Sequence, residues 1–96
     1  MDGMPSRRRS RARIVYEILS TLSREGSMPP TRLSYVARMP YDRFAPLLEQ
    51  LAEKGLVEMY EENGRRRVRI TREGLKALRE LSAALQVLQK LGLDEY

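Results

Sequence analysis

Fifteen of the eighteen basic residues in this chain are arginine, and they set the chemistry it can offer. A guanidinium presents a planar fork of donors that fits phosphate oxygens or a guanine edge two bonds at a time, whereas an ammonium is a point charge. The arginines fall mainly in two clusters. Arg7, Arg8, Arg9, Arg11 and Arg13 crowd the N-terminal thirteen residues, where Asp2 is the sole acid, and Arg65, Arg66, Arg67 and Arg69 crowd a later stretch. The first cluster carries +4 of the formal net charge of +5, so the body of the chain is near-neutral. Other chemistry is scarce. Histidine and cysteine are both absent, which removes the commonest metal ligand, the thiol nucleophile and disulfides. There is no glycine-rich loop to cradle phosphates and no carboxylate pair with an evident pocket. The expectation is a nucleic-acid binder and not an enzyme, with no cofactor and no metal.

The elements that must position the second cluster can be read locally. Phe44, Leu47, Leu48 and Leu51 form a one-sided apolar stripe at helical spacing. Gly55 falls where a left-handed stop is wanted, and Leu56 then sits where it can touch Leu51, as a Schellman stop requires. Two alternating runs follow, Leu56 to Glu61 and Arg65 to Ile70, joined through Asn63-Gly64. Asn-Gly between alternating runs is a strong hairpin signal because both residues tolerate positive φ. On the returning strand Val68 and Ile70 share one face, while Arg67 and Arg69 share the other. A helix followed directly by a basic hairpin is the arrangement of recognition helix and wing in a winged helix-turn-helix.

The rest of the chain fits that arrangement. Ser10 can cap a first helix whose stripe is Ile14, Val15, Ile18, Leu19 and Leu22, with Gly26 as its breaker. Ser27 to Pro30 is a stiff connector, the place of a short first strand in winged domains. Thr31 can start a second helix with Leu33, Val36 and Ala37 inward and Arg32, Tyr35 and Arg38 outward. It ends by Met39, because Pro40 disfavours helix in the residue before it. The third helix begins near Tyr41 or Asp42, and Pro46 inside it implies either a distorted first turn or a later start. Its exposed positions include Tyr41, Arg43, Glu49, Gln50 and Glu53. Thr71 caps a last helix of about twenty residues, or ~30 Å. Its leucines, Leu75, Leu78, Leu81, Leu85, Leu88 and Leu91, step by three and four. That stripe is longer than a small domain covers, so Leu78, Leu81, Leu85, Leu88 and Leu91 are expected to meet a second copy. A helix folded back on its own domain is the alternative.

Two strings carry a family likeness, "ARMPYDRFAPLLEQLAEKGLVE" from Ala37 to Glu58 and "ITREGLKAL" from Ile70. With the first helix they resemble archaeal winged helix-turn-helix proteins that dimerise through a C-terminal helix. Some members of that family are chromosomal or transcription-regulating DNA-binding proteins. The likeness spans roughly Arg13 to Leu91. It departs from the family at Pro40, where a capping serine is usual, at Pro46, and in a shorter C-terminal helix. The resemblance implies a compact helical dimer contact and no long coiled coil.

The expected architecture is mainly α with a small β-hairpin: a winged helix-turn-helix with an extended C-terminal dimerisation helix. Residues 1–9 form a basic disordered arm, 10–71 the winged domain, and 72–96 the dimerisation helix and tail. The expected partners are double-stranded DNA and a second copy of the chain, with no membrane and no metal. Expected DNA contacts are Arg32, Tyr35, Arg38, Tyr41, Arg43 and Gln50 on the helices. Arg65, Arg66, Arg67 and Arg69 would add the wing, and Arg7, Arg8 and Arg9 the arm. The role is a dimeric transcription regulator or small chromatin protein with affinity drawn mostly from phosphates. Alternatives stay open: the arm as a solvated tail, and the wing arginines as a charged edge paired to Glu58, Glu61 and Glu62. A module that binds protein through the acidic helix face is the rival function. High charge with few Asn and Gln hints at a hot source, and a cytoplasmic, nucleoid-associated location goes with the DNA reading.

Overall fold

Ser10 starts the chain's first helix by accepting a 3.1 Å hydrogen bond on its side chain from the Arg13 N–H. The computed structural model describes residues 10–93, so the arm at 1–9 lies outside the described residues. Seven elements follow in order: α1 (Arg11–Glu25), β1 (Ser27–Met28), α2 (Pro30–Ala37), α3 (Tyr41–Glu53), β2 (Val57–Glu62), β3 (Arg65–Ile70) and α4 (Arg72–Lys90). α2 starts one residue before Thr31, with Pro30 in the first turn and Pro29 as the cap. Proline suits that place, since its missing N–H would have no helical partner there. The turn to α3 hinges on Arg38, whose φ of 55° is left-handed. Its N–H donates to the Tyr35 carbonyl, and that of Met39 to the Ser34 carbonyl.

α3 is continuous through Pro46 and does start at Tyr41. Pro40 offers no capping side chain, but its carbonyl accepts from Arg43 and Phe44 at 3.0 and 2.9 Å. Pro46 has no N–H for the Asp42 carbonyl, and both residues are exposed, so water can replace the missing bond. The distorted or delayed start is therefore unnecessary. Gly55 ends the helix at a φ of 77°. Its N–H donates to Ala52, and the Leu56 N–H donates to Leu51, which completes the Schellman pair.

β3 is the centre of a three-stranded antiparallel sheet of order β1-β3-β2. Asn63 and Gly64 take φ of 54° and 75°, the two positive values of a type I′ hairpin turn. The register opposes Val57 to Ile70, Met59 to Val68 and Glu61 to Arg66 on one face. Glu58 to Arg69, Tyr60 to Arg67 and Glu62 to Arg65 lie on the other. The first face closes over the core. Ile18, Leu19, Leu22, Leu33, Phe44, Leu48 and Val68 are solvent-excluded there, joining α1, α2 and α3 to the sheet.

α4 begins at a knot. The Thr71 side chain accepts from the Gly74 N–H at 3.0 Å and donates to the Gly55 carbonyl at 2.6 Å. Its N–H donates to the Leu56 carbonyl at 3.1 Å. The start of α4 is thus tied to the stop of α3. Gly74 is buried, and a Cβ there would overlap the Leu56 carbonyl oxygen and the Ile70 side chain. The helix then runs along α1, and Leu85 is buried within the single chain. Leu78, Leu81 and Leu88 are half-buried on the same face, whereas Leu91 is 64% exposed. A second strip, Ala84, Val87 and Leu91, stays uncovered. No described helix is long and apolar enough to cross a membrane.

Helix propensity alone would make Gly74→Ala stabilising by about 1 kcal/mol. The blocked Cβ position reverses the sign, and a net loss of ~1–3 kcal/mol is expected, read as a lowered urea midpoint at unchanged slope. An unchanged or raised midpoint would show that the backbone at Leu56 yields freely.

Candidate nucleic-acid interface

The starts of α2 and α3 and the hairpin meet around one opening, with Tyr41 and the wing arginines on its walls, whereas Arg32 and Arg38 border hollows beside α1. Tyr41 lies at the first residue of α3, 39% exposed, with its ring 6.2 Å from that of Phe44. Phe44 is fully buried, so the core fixes the direction in which Tyr41 leaves the surface. Arg43 and Gln50 are exposed two helical turns apart on one face of α3. Glu49 and Glu53 are exposed on the adjoining face. On α2, Arg32 and Tyr35 are exposed, the latter by 78%, and Arg38 is exposed at the turn.

A cleft of about 390 Å³ joins these parts. Its walls are Pro29, Pro30 and Thr31 at the start of α2, Tyr41 at the start of α3, and Arg65, Arg66 and Arg67 of the wing. Residues more than twenty positions apart in sequence are therefore gathered around one opening by the pairing of β1 with β3.

The wing arginines divide into two kinds. Arg69 is held on the outer sheet face: its Nε and Nη2 both meet Glu58 Oε1 at 2.9 Å, and its guanidinium lies 4.6 Å from the centre of the Tyr60 ring. Arg67 reaches across to β1, where Nη2 donates to the Ser27 side chain at 2.7 Å and to its carbonyl at 3.0 Å. Both are structural first. Arg65 and Arg66 are exposed beside the turn and have no side-chain partner within the described residues. Glu62 and Glu61 stand opposite them in register, yet Glu58 is the one wing glutamate in an ion pair among the described residues. The charged-edge alternative thus describes Arg69 and leaves Arg65 and Arg66 unaccounted for.

Arg7, Arg8 and Arg9 lie outside the described residues. Among those described, no three His, Cys, Asp or Glu side chains gather as a metal cluster would. The Arg67–Ser27 link was the feature that sequence reasoning missed. Strict alternation along β3 does place Arg67 away from the core, and a first strand beside it would have supplied the partner.

Comparison with known proteins agrees with this fold. A search of curated protein sequences gave no match. Among solved structures, the chain is similar to Sso10a-2, a DNA-binding protein from Sulfolobus solfataricus, at 25% identity and a TM-score of 0.76. That likeness covers 86% of this chain and 85% of the other. It is also similar to a MarR family transcriptional regulator from Silicibacter pomeroyi, at 26% identity and a TM-score of 0.68. There it covers 78% of this chain but spans only 52% of the regulator's length. The regulator BldR from Sulfolobus solfataricus shares the fold at 22% identity and a TM-score of 0.75, over 88% of this chain and 62% of its own. All three are named as DNA-binding or regulatory proteins, and none as an enzyme. The sequence model described as winged helix-turn-helix matches residues 8–89. With a helix-turn-helix, a two-stranded wing and that match over most of its length, the chain belongs to the winged helix-turn-helix family.

Proposed function

We propose that the chain binds double-stranded DNA as a dimer, in the manner of a transcription regulator or small chromatin protein, and draws its affinity chiefly from arginine–phosphate contacts. The observation that carries this reading is the cleft where Tyr41 meets the start of α2 and Arg65 and Arg66, which have no side-chain partner among the described residues. The start of α3, with Arg43, would face base edges in the major groove, while Arg65 and Arg66 would track phosphates or the minor groove. The likeness to Sso10a-2, over most of both chains, supports DNA as the partner. Arg32 on α2 and Arg38 at the turn after it would hold the backbone alongside, and Arg7, Arg8 and Arg9 would add further phosphate contacts.

The dimer contact in this reading shifts from the full leucine stripe to the strip that its own domain leaves open. Leu85 is covered within one chain, so the surface for a second copy is Ala84, Val87 and Leu91, with Leu93 beyond and the exposed flanks of Leu81 and Leu88.

Changing Arg65 and Arg66 together to alanine should weaken binding to all duplexes alike and reduce the slope of log K against log salt by about 2. Arg69→Ala should leave the slope nearly unchanged but lower stability by ~0.5–1.5 kcal/mol, because its exposed ion pair and ring contact are structural. Arg43→Ala should alter sequence preference more than salt dependence. If the double wing variant binds like the wild type across a salt series, the wing does not touch DNA. The acidic face of α3 then becomes the candidate surface for a protein partner.

Replacing Val87 and Leu91 with glutamate should give a folded monomer by sedimentation at tens of micromolar, where the wild type is dimeric. A monomeric wild type at that concentration would refute the dimer. A variant that stays dimeric would place the contact elsewhere.

A further inference from the structure

A second hollow, of about 430 Å³, opens on the other side of Pro29 and Arg67 from the cleft just described. It lies between the end of α1, β1 and the face of α2 that carries Arg32 and Val36. Three arginines border it, Arg24, Arg32 and Arg67, against one carboxylate, Glu25. Met28, Pro29 and Val36 add an apolar part to a lining that is mainly polar, and Met28 belongs to the core.

One of the three guanidinium groups, that of Arg67, is already fixed, and that of Arg24 is oriented by local bonds at an exposed helix end. Arg24 is held by the side chains of Ser20 and Thr21 at 3.0 and 3.4 Å. Arg67 is held by Ser27 through Nε and Nη2. Each Arg has five N–H donors. The Ser27 bonds occupy Nε and Nη2 of Arg67 and leave Nη1 free of any bond within the described residues. Arg24 keeps its Nε and one proton on each terminal nitrogen. Arg32 has no bonded partner among the described residues. Fixed guanidinium groups lose little entropy on meeting an anion, and planar forks match a phosphate.

We propose that this hollow binds a small phosphate-bearing anion, with Arg24, Arg32 and Arg67 on the phosphate and any apolar part of the ligand against Met28, Pro29 and Val36. The volume falls in the range of small-molecule sites, ~300–1,000 Å³. A DNA backbone passing over the surface would need the cations but not the concave, partly apolar enclosure. The hollow shares Arg67 and Pro29 with the cleft and contains Arg32. If the chain binds DNA as proposed above, occupation of the hollow opposes DNA binding, and the opposition is reciprocal.

The test is calorimetric titration of the whole chain, without DNA, using pyrophosphate and adenosine monophosphate at ionic strength held constant with chloride. Saturable one-to-one binding of at least one probe is expected. Arg24→Gln should weaken it about tenfold or more, and Glu25→Gln should strengthen it, while the Arg65→Ala, Arg66→Ala double variant leaves it unchanged. Both positions are exposed, and a thermal melt checks that each variant folds. No saturable binding of either probe overturns the proposal. So does equal affinity in the Arg24→Gln variant, which would put the anion elsewhere. Duplex binding measured in parallel separates the two readings. Loss of DNA affinity in Arg24→Gln as large as that of the double wing variant would make the hollow part of the DNA track and refute the small ligand. Anion binding by a chain that ignores DNA would refute the DNA function and leave the hollow standing.

Discussion

The cleft beside the wing and the hollow beside α1 both depend on β3 being hydrogen-bonded along both edges. A strand alternates its side chains, so one run of six residues can seal a core with Val68 and Ile70 while it turns Arg65, Arg67 and Arg69 outward. Pairing with β2 on one edge sets the hairpin register. Pairing with β1 on the other brings the end of α1 and the start of α2 alongside the arginines. A slip of one residue would carry the arginines into the core, at a cost no small domain could offset, so burial and display are specified together. The outer-face links of Arg69 to Glu58 and of Arg67 to Ser27 then hold the strand's two neighbours at a fixed distance.

The second constraint is the junction of Gly55, Leu56, Thr71 and Gly74. Here the last turn of α3 and the first turn of α4 satisfy one another's backbone groups, with Thr71 both accepting and donating. Each such bond contributes about 1 kcal/mol. Their importance is geometric, however. The glycine lets α4 pass so close to the Leu56 carbonyl that backbone contact fixes where the helix starts, before side-chain packing along α1 takes over. α4 then lies along α1, and the strip it leaves open is decided before any second chain is involved.

Much of this was legible because it is local. The Asn63-Gly64 turn, the Gly55 stop with Leu56, and the Ser10 and Thr71 caps each depend on a handful of adjacent residues with known backbone demands. So was the split of β3 into a core face and a charged face. What the sequence obscured was contact between distant parts. The tie of Arg67 to Ser27 joins residues forty positions apart, and no pattern in either segment announces it. Leu85 looked equivalent to Leu91 in a leucine stripe, yet α1 covers one and leaves the other open. Pro46 was the opposite case: a locally unfavourable residue tolerated because its orphaned acceptor faces water. Pairing of the wing arginines with Glu58, Glu61 or Glu62 was an open alternative in the sequence, and the paired strand shows it for Arg69 with Glu58 while giving Arg67 to Ser27.

The pairing of β1 with β3 also has a consequence for how the chain comes to be assembled. It closes a loop of some forty residues around the whole helix-turn-helix, and the entropic cost of such a closure is met only when the enclosed segment is already compact. The helix-turn-helix and the hairpin are built from contacts between near neighbours, whereas the Arg67–Ser27 link spans forty residues and is expected to form after they dock. A partly folded chain therefore carries the same arginines without the cleft or the hollow. It can attract polyanions by charge, as any basic peptide can, but it cannot hold them in a set geometry. If the chain binds as proposed, its selectivity would arrive late in folding, whereas its charge is present from the start.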